Sequence, residues 1–488
     1  MPSSLYDYER KIRDPIYGYI PITKLENAVI DTPIFQRLDR LLQMPTAHYV
    51  YPSGMHTRKS HSLGAMHLAH RAICIILFRQ HSQLRNSVCP LLYRGAIPPL
   101  GNELGSLPDL KDIQDLQDYA KFIQCIRLAG LLHDIGHAPL SHLFEDAYKP
   151  TESTKSAEFS HEAMSTKIIC ELLSPNPIPA DMAKFVASII SGKELDPRLT
   201  FVHELISGPW DCDKLDYVMR DAYHSGTPEY GIIDSTRVQE GLVVSKNSLC
   251  ILEDHIPSAL DFLTASFAMY TAVYYHRTSR MFSIIMQEAL SPLQSTLGRI
   301  ANSPVELTKS DDYSFIYSIL NQKADELKLQ EEDYINVTKL LRAYLDRNKL
   351  YQELITERLD LDVFAIAQAE KNLPGTFRNT LEKLAEKIES EYKSYGIIVD
   401  TRPRIRSIGI RLNDIASWLT DQRVFSTTKG RRIEIKETHY SNVANLNRLN
   451  IPVVVFAPRD KAIDPETRKN IQMFLQAELY ERIPPFTS

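Results

Sequence analysis

Residues 131–145, Leu-Leu-His-Asp-Ile-Gly-His-Ala-Pro-Leu-Ser-His-Leu-Phe-Glu, carry three imidazoles (His133, His137, His142) and two carboxylates (Asp134, Glu145). Adjacent His133-Asp134 at a helix end can offer an imidazole and a carboxylate to one divalent ion, but such an ion needs two further ligands from elsewhere. Ten of the fifteen histidines fall between positions 48 and 161, a density that a solvated surface does not explain. Further along, Asp213, Tyr217 and Asp221 recur every fourth residue and so share one helix face, while Leu215, Val218 and Ala222 occupy another. Asp211 and Asp216 compete with Asp213 as candidate ligands on proximity alone. His67 and His70 read as packing or surface residues. His48 and His56 flank a loop, where substrate contact and surface placement are equally open.

These groups must be positioned by helices. Residues 11–23 mix β-branched and aromatic residues around an Asp-Pro and a Gly, the pattern of a short hairpin. Residues 24–44 read as helical, with Asp31-Thr32-Pro33 starting a second helix. A helix entered near His61 runs to about Arg79, with Leu63, Met66 and Ile73 on its core side. Residues 85–113 read as a surface excursion, 116–132 as a helix feeding the central motif, 149–160 as a polar loop, and 161–173 and 182–191 as helices. Residues 260–290 form a long apolar helical stretch, interrupted at 274–280 by Tyr-Tyr-His-Arg-Thr-Ser-Arg. Such a polar cluster is expected either on a pocket wall or at an oligomer contact. Beyond 305 come charged helices (313–328, 332–347, 376–392), then strand-like runs at 395–399, 405–412, 432–436 and 451–456, and a last helix over 465–482. The expected architecture is mainly α, with a helical domain over 1–304 and a smaller α+β region over 305–488 serving assembly or regulation.

The chain has 488 residues with 43% hydrophobic and 24% charged content, enough to bury a large core. A net charge of −5 argues against a surface built throughout to hold nucleic acid. Six cysteines without a CxxC pair suit reduced thiols. No signal-like N-terminus and no run of about 18 apolar residues is seen, so the expected setting is cytoplasmic, without membrane.

The ordered motifs resemble the HD phosphohydrolase superfamily, whose pattern is a His, then His-Asp, then a distant Asp around one metal centre. Within it they are similar to the deoxynucleoside triphosphate triphosphohydrolases over roughly residues 11–280. The pieces that carry the resemblance are Thr32-Pro33-Ile34-Phe35-Gln36-Arg37-Leu38, residues 56–64, the central motif, and Asp213-Lys214-Leu215-Asp216-Tyr217 with Arg220-Asp221. It implies that His61, His133, Asp134 and Asp213 hold a divalent metal (Mn, Fe, Zn, Mg, Ni or Co) and polarise a water that attacks the α-phosphorus. His142 would protonate the leaving oxygen, with His137 and His161 on phosphate oxygens and Glu145, in place of the usual aspartate, orienting His142. Arg58 and Lys214 would neutralise the phosphate chain. Gln43, Met44, Tyr217 and Asp221 would surround the sugar, Tyr217 excluding a ribose 2′-hydroxyl and Asp221 binding the 3′-hydroxyl, with Tyr274 as a further contact.

Two departures stand out. Ser266 stands where the resemblance implies an arginine for the triphosphate tail, and Tyr270 replaces a histidine one turn later, leaving the tail's charge to Arg277 or Arg280. Asp31 and Gln36 match positions of a nucleotide-activator site, but Asp39 stands where an arginine is expected, so no activator is carried over. The resemblance also implies a small-molecule nucleotide substrate and a homo-oligomer, dimer or tetramer; nucleic acid is allowed but not favoured. The leading expectation is cleavage of dNTP to deoxynucleoside and triphosphate. The alternatives are an HD phosphohydrolase of nucleoside monophosphates or cyclic nucleotides, and a non-catalytic nucleotide sensor or nucleic-acid-binding scaffold.

Overall fold

The computed structural model describes residues 8–80, 119–149, 159–362, 365–366, 376–401, 423–429, 431–433 and 448–483. The excursion expected at 85–113 and the strand expected at 405–412 lie outside them. The chain opens on an antiparallel hairpin, β1 (Tyr8–Asp14) and β2 (Gly18–Thr23), in which Ile12 faces Ile20 and Asp14 faces Gly18. Thr23 then caps α1 (Lys24–Ile30) in a capping box with Glu26, whose carboxylate also takes a buried ion pair from Arg127. Thr32 caps a single turn over Pro33–Gln36, and a 3-10 turn ends at Arg40. The helical reading to 44 is therefore too long. Residues 41–43 instead pair with 56–58: Gln43 N–H donates to the His56 carbonyl (3.0 Å) and Arg58 N–H to the Leu41 carbonyl (3.0 Å).

Helix α2 (Arg58–Gln80) packs against α3 (Tyr119–Leu132) and, on another side, against α7 (Cys212–Ser225). Between these come α4 (His142–Ala147), α5 (His161–Glu171) and α6 (Ala180–Ser191). Two segments, Arg58–Gln80 and Glu253–Tyr274, are long and apolar enough to cross a membrane. The first has His61, Ser62 and Arg58 buried among its apolar residues and forms part of the central core. After the hairpin β3 (Leu242–Ser245) and β4 (Ser248–Leu252), the 260–290 stretch is not one helix. Helix α8 (Ile256–Met269) continues through a π turn over Tyr270–Tyr274, breaks at Tyr275-His276, and restarts as α9 (Arg277–Leu290) under a His276 cap. The wider π turn displaces the tyrosines from regular α register, a local departure common where side chains must face a site.

Helices α10 (Asp312–Leu320) and α11 (Glu331–Leu345) follow. They pack onto the earlier elements: Arg37 donates to the Ser310 carbonyl (2.5 Å), and the buried Asp312 carboxylate accepts from Leu42 N–H (2.9 Å) and Leu140 N–H (2.7 Å). The long strand β5 (Tyr351–Asp362) pairs antiparallel with β9 (Arg448–Pro458), which also pairs with β6 (Ile398–Asp400). β7 (Val424–Ser426) runs parallel to β4 and antiparallel to β8 (Arg431–Ile433). Helices α12 (Thr376–Glu391) and α13 (Pro465–Arg482) cover the β5–β9–β6 sheet. The fold is mainly α, with small sheets concentrated after residue 350, as the pattern predicts. The hairpin at 242–252 and strand β5 were not expected; in β5 the Glu and Arg residues break the apolar alternation that marks a strand.

Candidate functional site

Three ligand-capable atoms converge where α2, the end of α3 and the start of α7 meet. His61 Nε2 lies 3.3 Å from His133 Nε2 and 3.0 Å from Asp213 Oδ1, and His133 Nε2 lies 3.6 Å from that oxygen. Their backs are fixed. His61 Nδ1 is 2.8 Å from Asp216 Oδ2, and His133 Nδ1 is 2.9 Å from the Gly130 carbonyl. With each Nδ1–H committed to an oxygen acceptor, each Nε2 lone pair is turned toward the cluster, the arrangement a metal site requires. The donor set of two imidazoles and a carboxylate therefore fits a divalent ion. Asp134 flanks this trio: Oδ1 is 3.3 Å from His133 Nε2 and from His137 Nε2, and Oδ2 is 3.7 Å from His61 Nε2 and bonded to Arg58.

Electrostatics follow this geometry. Burial would lower the His61 pKa, but the carboxylates Asp213 and Asp216 on its two nitrogens raise it to about 10. Burial would likewise raise Asp213 and Asp134. Asp213 is instead held well below the usual carboxylate range by His133 and His61, and Asp134 by His133, Arg58 and His137. Several negative charges thus face a small volume, where a divalent cation can take the place of a proton.

Asp216 competes with Asp213 for the ligand role in the sequence but stands behind His61 in the structure. It accepts from Arg220 Nε (2.8 Å) and Nη2 (2.9 Å) and from the Tyr17 hydroxyl (2.8 Å), while Arg220 Nη1 also meets Asp14 (2.8 Å). This places Tyr17 and Asp14, from the N-terminal hairpin, in support of a candidate metal ligand. Sequence reading missed that role; the only signal was the four-residue spacing of Asp216 and Arg220. The cradle leaves no room at position 64, where a Cβ would collide with Asp216 Oδ1 and Arg220 Nη2. Asp211, the other competitor, is the N-cap of α7, accepting from Lys214 N–H (2.7 Å).

A second cluster adjoins the first. Glu145 accepts from His142 Nδ1 (2.7 Å) through one oxygen and from His161 Nδ1 (2.7 Å) and N–H (3.0 Å) through the other. His161 stacks on His137 with centroids 3.9 Å apart and planes 13° from parallel. Burial opposes charge on His161, yet Glu145 raises it to about 9; burial together with Arg58 and His161 pushes His137 well down. The cluster thus pairs a cationic imidazole with a neutral one. His142 keeps 43% of its side chain exposed, so a bound molecule can reach it. The turn before α4 is strained, with Leu140 and Ser141 at φ 62° and 54°, and Ser141 Oγ accepts from Arg58 Nε (2.8 Å). Gly136 is required here as well, because a Cβ would strike the backbone of His161 and Ser165.

The third group lies along α7. The Tyr217 ring is 6.3 Å from that of His61, and Asp221, one turn on, accepts from the Tyr274 hydroxyl (2.6 Å) and contacts His56 Nε2 (2.6 Å). Gln43 joins them through its backbone bond to His56.

The remaining expected contacts are engaged within the protein. Arg277 is largely exposed and paired with Glu353 (3.3 Å), and Arg280 is buried in a double hydrogen bond to Asp400 (2.9 and 2.6 Å), so both arginines face the C-terminal region. The break at Tyr275-His276 sets this direction. Lys214 is buried against Asp211 (2.5 Å) and the Gly208 carbonyl (2.8 Å), and Met44 belongs to the hydrophobic core. Ser266, standing in for a tail-binding arginine, is fully buried.

A family model described as HD domain matches residues 104–208, and one described as HD associated region matches 233–407. The first spans His133 to His161 and stops short of Asp213. Among relatives, the deoxynucleoside triphosphate triphosphohydrolase SAMHD1 homolog of Dictyostelium discoideum is 27% identical, the alignment covering 67% of this chain and 58% of that protein. The Bos taurus deoxynucleoside triphosphate triphosphohydrolase SAMHD1 is 23% identical over 81% of this chain and 67% of its own. An uncharacterized protein of Methanocaldococcus jannaschii is 27% identical over 80% and 69%. The chain thus spans a little under three-fifths of the Dictyostelium relative. The chain thus carries an HD domain followed by an HD associated region, with a donor set suited to a divalent ion between three helices.

Proposed function

We propose that this protein is a metal-dependent hydrolase that cleaves a dNTP into deoxynucleoside and triphosphate. The observation that carries the reading is the position of Tyr217, its ring 6.3 Å from His61 and one turn before the buried Asp221. A sugar seated on that face of α7 would bring its 5′-phosphate to the imidazole–carboxylate clusters. His61, His133, Asp134 and Asp213 would hold a divalent ion, which supplies Lewis acidity that lowers the pKa of a bound water and polarises the α-phosphate. Glu145 keeps His161 cationic beside the developing phosphoryl charge and orients His142 to give a proton to the leaving 5′-oxygen. Tyr217 closes the space a ribose 2′-hydroxyl would need. Assembly into a homo-oligomer, with 305–488 serving assembly or regulation, belongs to the same proposal.

The test is incubation of metal-loaded protein with each dNTP and matching NTP, with and without activating nucleotides, resolving products by chromatography, with Asp134→Ala as control. Deoxynucleoside and triphosphate from dNTPs alone support the reading; intact dNTPs in every lane defeat it. A second reading, hydrolysis of nucleoside monophosphates or cyclic nucleotides, draws on one observation: Arg277 and Arg280 are engaged with Glu353 and Asp400 rather than standing in for the tail-binding arginine. Inorganic phosphate or a linearised nucleotide as product would favour it.

A further inference from the structure

His56 is buried, its side chain 2% exposed, although it sits in a loop that could equally have left it in solvent. Three elements meet on it. Its Nε2 is 2.6 Å from Asp221 Oδ1, and because Asp221 is acceptor-only when ionised, the proton in that bond belongs to His56. Its carbonyl receives the Gln43 N–H at 3.0 Å. Its ring stacks on His224, one turn beyond Asp221 on α7, with centroids 4.5 Å apart and planes 14° from parallel. Burial, with His56 and Arg220 nearby, lowers the His224 pKa to about 4, so the ring behind His56 is neutral and the stack carries no repulsion between two imidazolium ions. The other Asp221 oxygen takes the Tyr274 hydroxyl at 2.6 Å. The carboxylate is thus held at both ends, with one lone pair of each oxygen still available to a ligand hydroxyl.

We propose that His56 is the positioning residue of the sugar subsite: by holding Asp221 through its side chain and Gln43 through its backbone, it sets the preference for nucleotides that carry a 3′-hydroxyl. The inference rests on the reading of Tyr217 and Asp221 as sugar contacts. His56 acts through Asp221 and takes no part in the phosphoryl chemistry. Without the His56 donor the Asp221 carboxylate can rotate about Tyr274, and a bond to the 3′-hydroxyl that relied on its aim is weakened. A substrate without that hydroxyl has nothing to lose.

The experiment compares kcat and KM of the metal-loaded wild type, H56F and H56Q on a dNTP and on its 2′,3′-dideoxy counterpart. Phenylalanine keeps the ring on His224 but has no donor; glutamine places an amide nitrogen near the Nε2 position. H56F is expected to lower the dNTP-to-dideoxy ratio of kcat/KM by about tenfold, the effect of one well-aimed hydrogen bond, mainly through KM for the dNTP, and H56Q to restore most of it. A role confined to packing would lower both substrates alike, and an unchanged ratio in H56F overturns the proposal. Where H56F does not fold, H56Q and H56N carry the same test, because asparagine cannot reach Asp221; equal ratios in these two also overturn it. Absence of dNTP turnover by the wild type overturns the sugar reading and this one with it, whereas turnover with an unmoved ratio overturns only the role of His56.

Discussion

The two imidazole–carboxylate clusters are neighbours built from the same residue types, and they place the carboxylate differently. At His61, His133 and Asp213, each imidazole has its Nδ1 engaged from behind, by Asp216 and by the Gly130 carbonyl, so two Nε2 atoms and a carboxylate oxygen converge. At His137, His142, Glu145 and His161 the carboxylate itself takes both Nδ1 positions of its partners, which makes His161 a cation and leaves stacked His137 neutral. Both sets bring ligand-capable atoms close enough for an ion, but the first leaves two Nε2 atoms facing a carboxylate oxygen, whereas the second commits its carboxylate to two Nδ1 atoms. Whether the Nδ1 acceptor stands behind the imidazole or inside the cluster separates the two, and residue type alone does not.

The comparison can be broken most severely at the converging trio. Replacing Asp213 or His133 with alanine should remove the divalent ion and reduce turnover by on the order of 10³-fold or more, since several kcal/mol of charge stabilisation is lost. Metal content by mass spectrometry and turnover should fall together; retained metal with lost turnover would place these residues in the other class. A smaller effect is expected in the second cluster. Glu145→Gln preserves shape but removes the charge that orients His142 and keeps His161 cationic, so kcat should drop roughly 10²-fold while metal content stays at the wild-type level. If the metal leaves as well, the two clusters are one unit.

Tyr17→Phe sharpens the contrast by touching only the support of His61. It removes one of the bonds to Asp216 while the Arg220 bonds remain. Metal affinity, measured by competition with a chelator, should weaken by about tenfold, as for other outer-sphere partners, with little change in kcat at saturating metal. The smallest effect is on stability. His161 has a folded pKa near 9 against about 6.5 when unfolded. Its pairing with Glu145 therefore stabilises the fold fully below pH of about 6.5 and loses that contribution as pH rises through about 9. Thermal melts across this window should show a decline in the wild type that Glu145→Gln lacks; equal slopes would mean that the pair carries no net stability.

Much of the frame was legible in residue order. The Asp-Pro…Gly hairpin, the Thr32-Pro33 start and the last helix over 465–482 come from local chemistry that needs no partner: a turn residue, a capping hydroxyl, a proline at the first helical position. The four-residue recurrence of Asp213, Tyr217 and Asp221 likewise fixes one face of α7. Where the pattern was ambiguous the outcome depended on neighbours. The charged strand β5 gains its place by pairing along its length with β9; the polar run at 274–280 marks where the apolar stretch at 260–290 breaks, but the π turn before it has no signal in the periodicity.

The sequence by itself determined which residue types lie near one another along the chain, and with them the helical frame and the cluster of imidazoles around 133–161. Only the tertiary structure decided the assignments that depend on distance across elements. It put Asp216 behind His61 and Asp213 in front, although they are one turn apart, because Arg220 and Tyr17 claim the Asp216 oxygens. It buried His56 against Asp221, more than 160 residues away, and turned Arg277 and Arg280 toward Glu353 and Asp400. Helical spacing specifies a face but not what packs against it, and the charge and hydrogen-bonding role of a side chain are set by that packing.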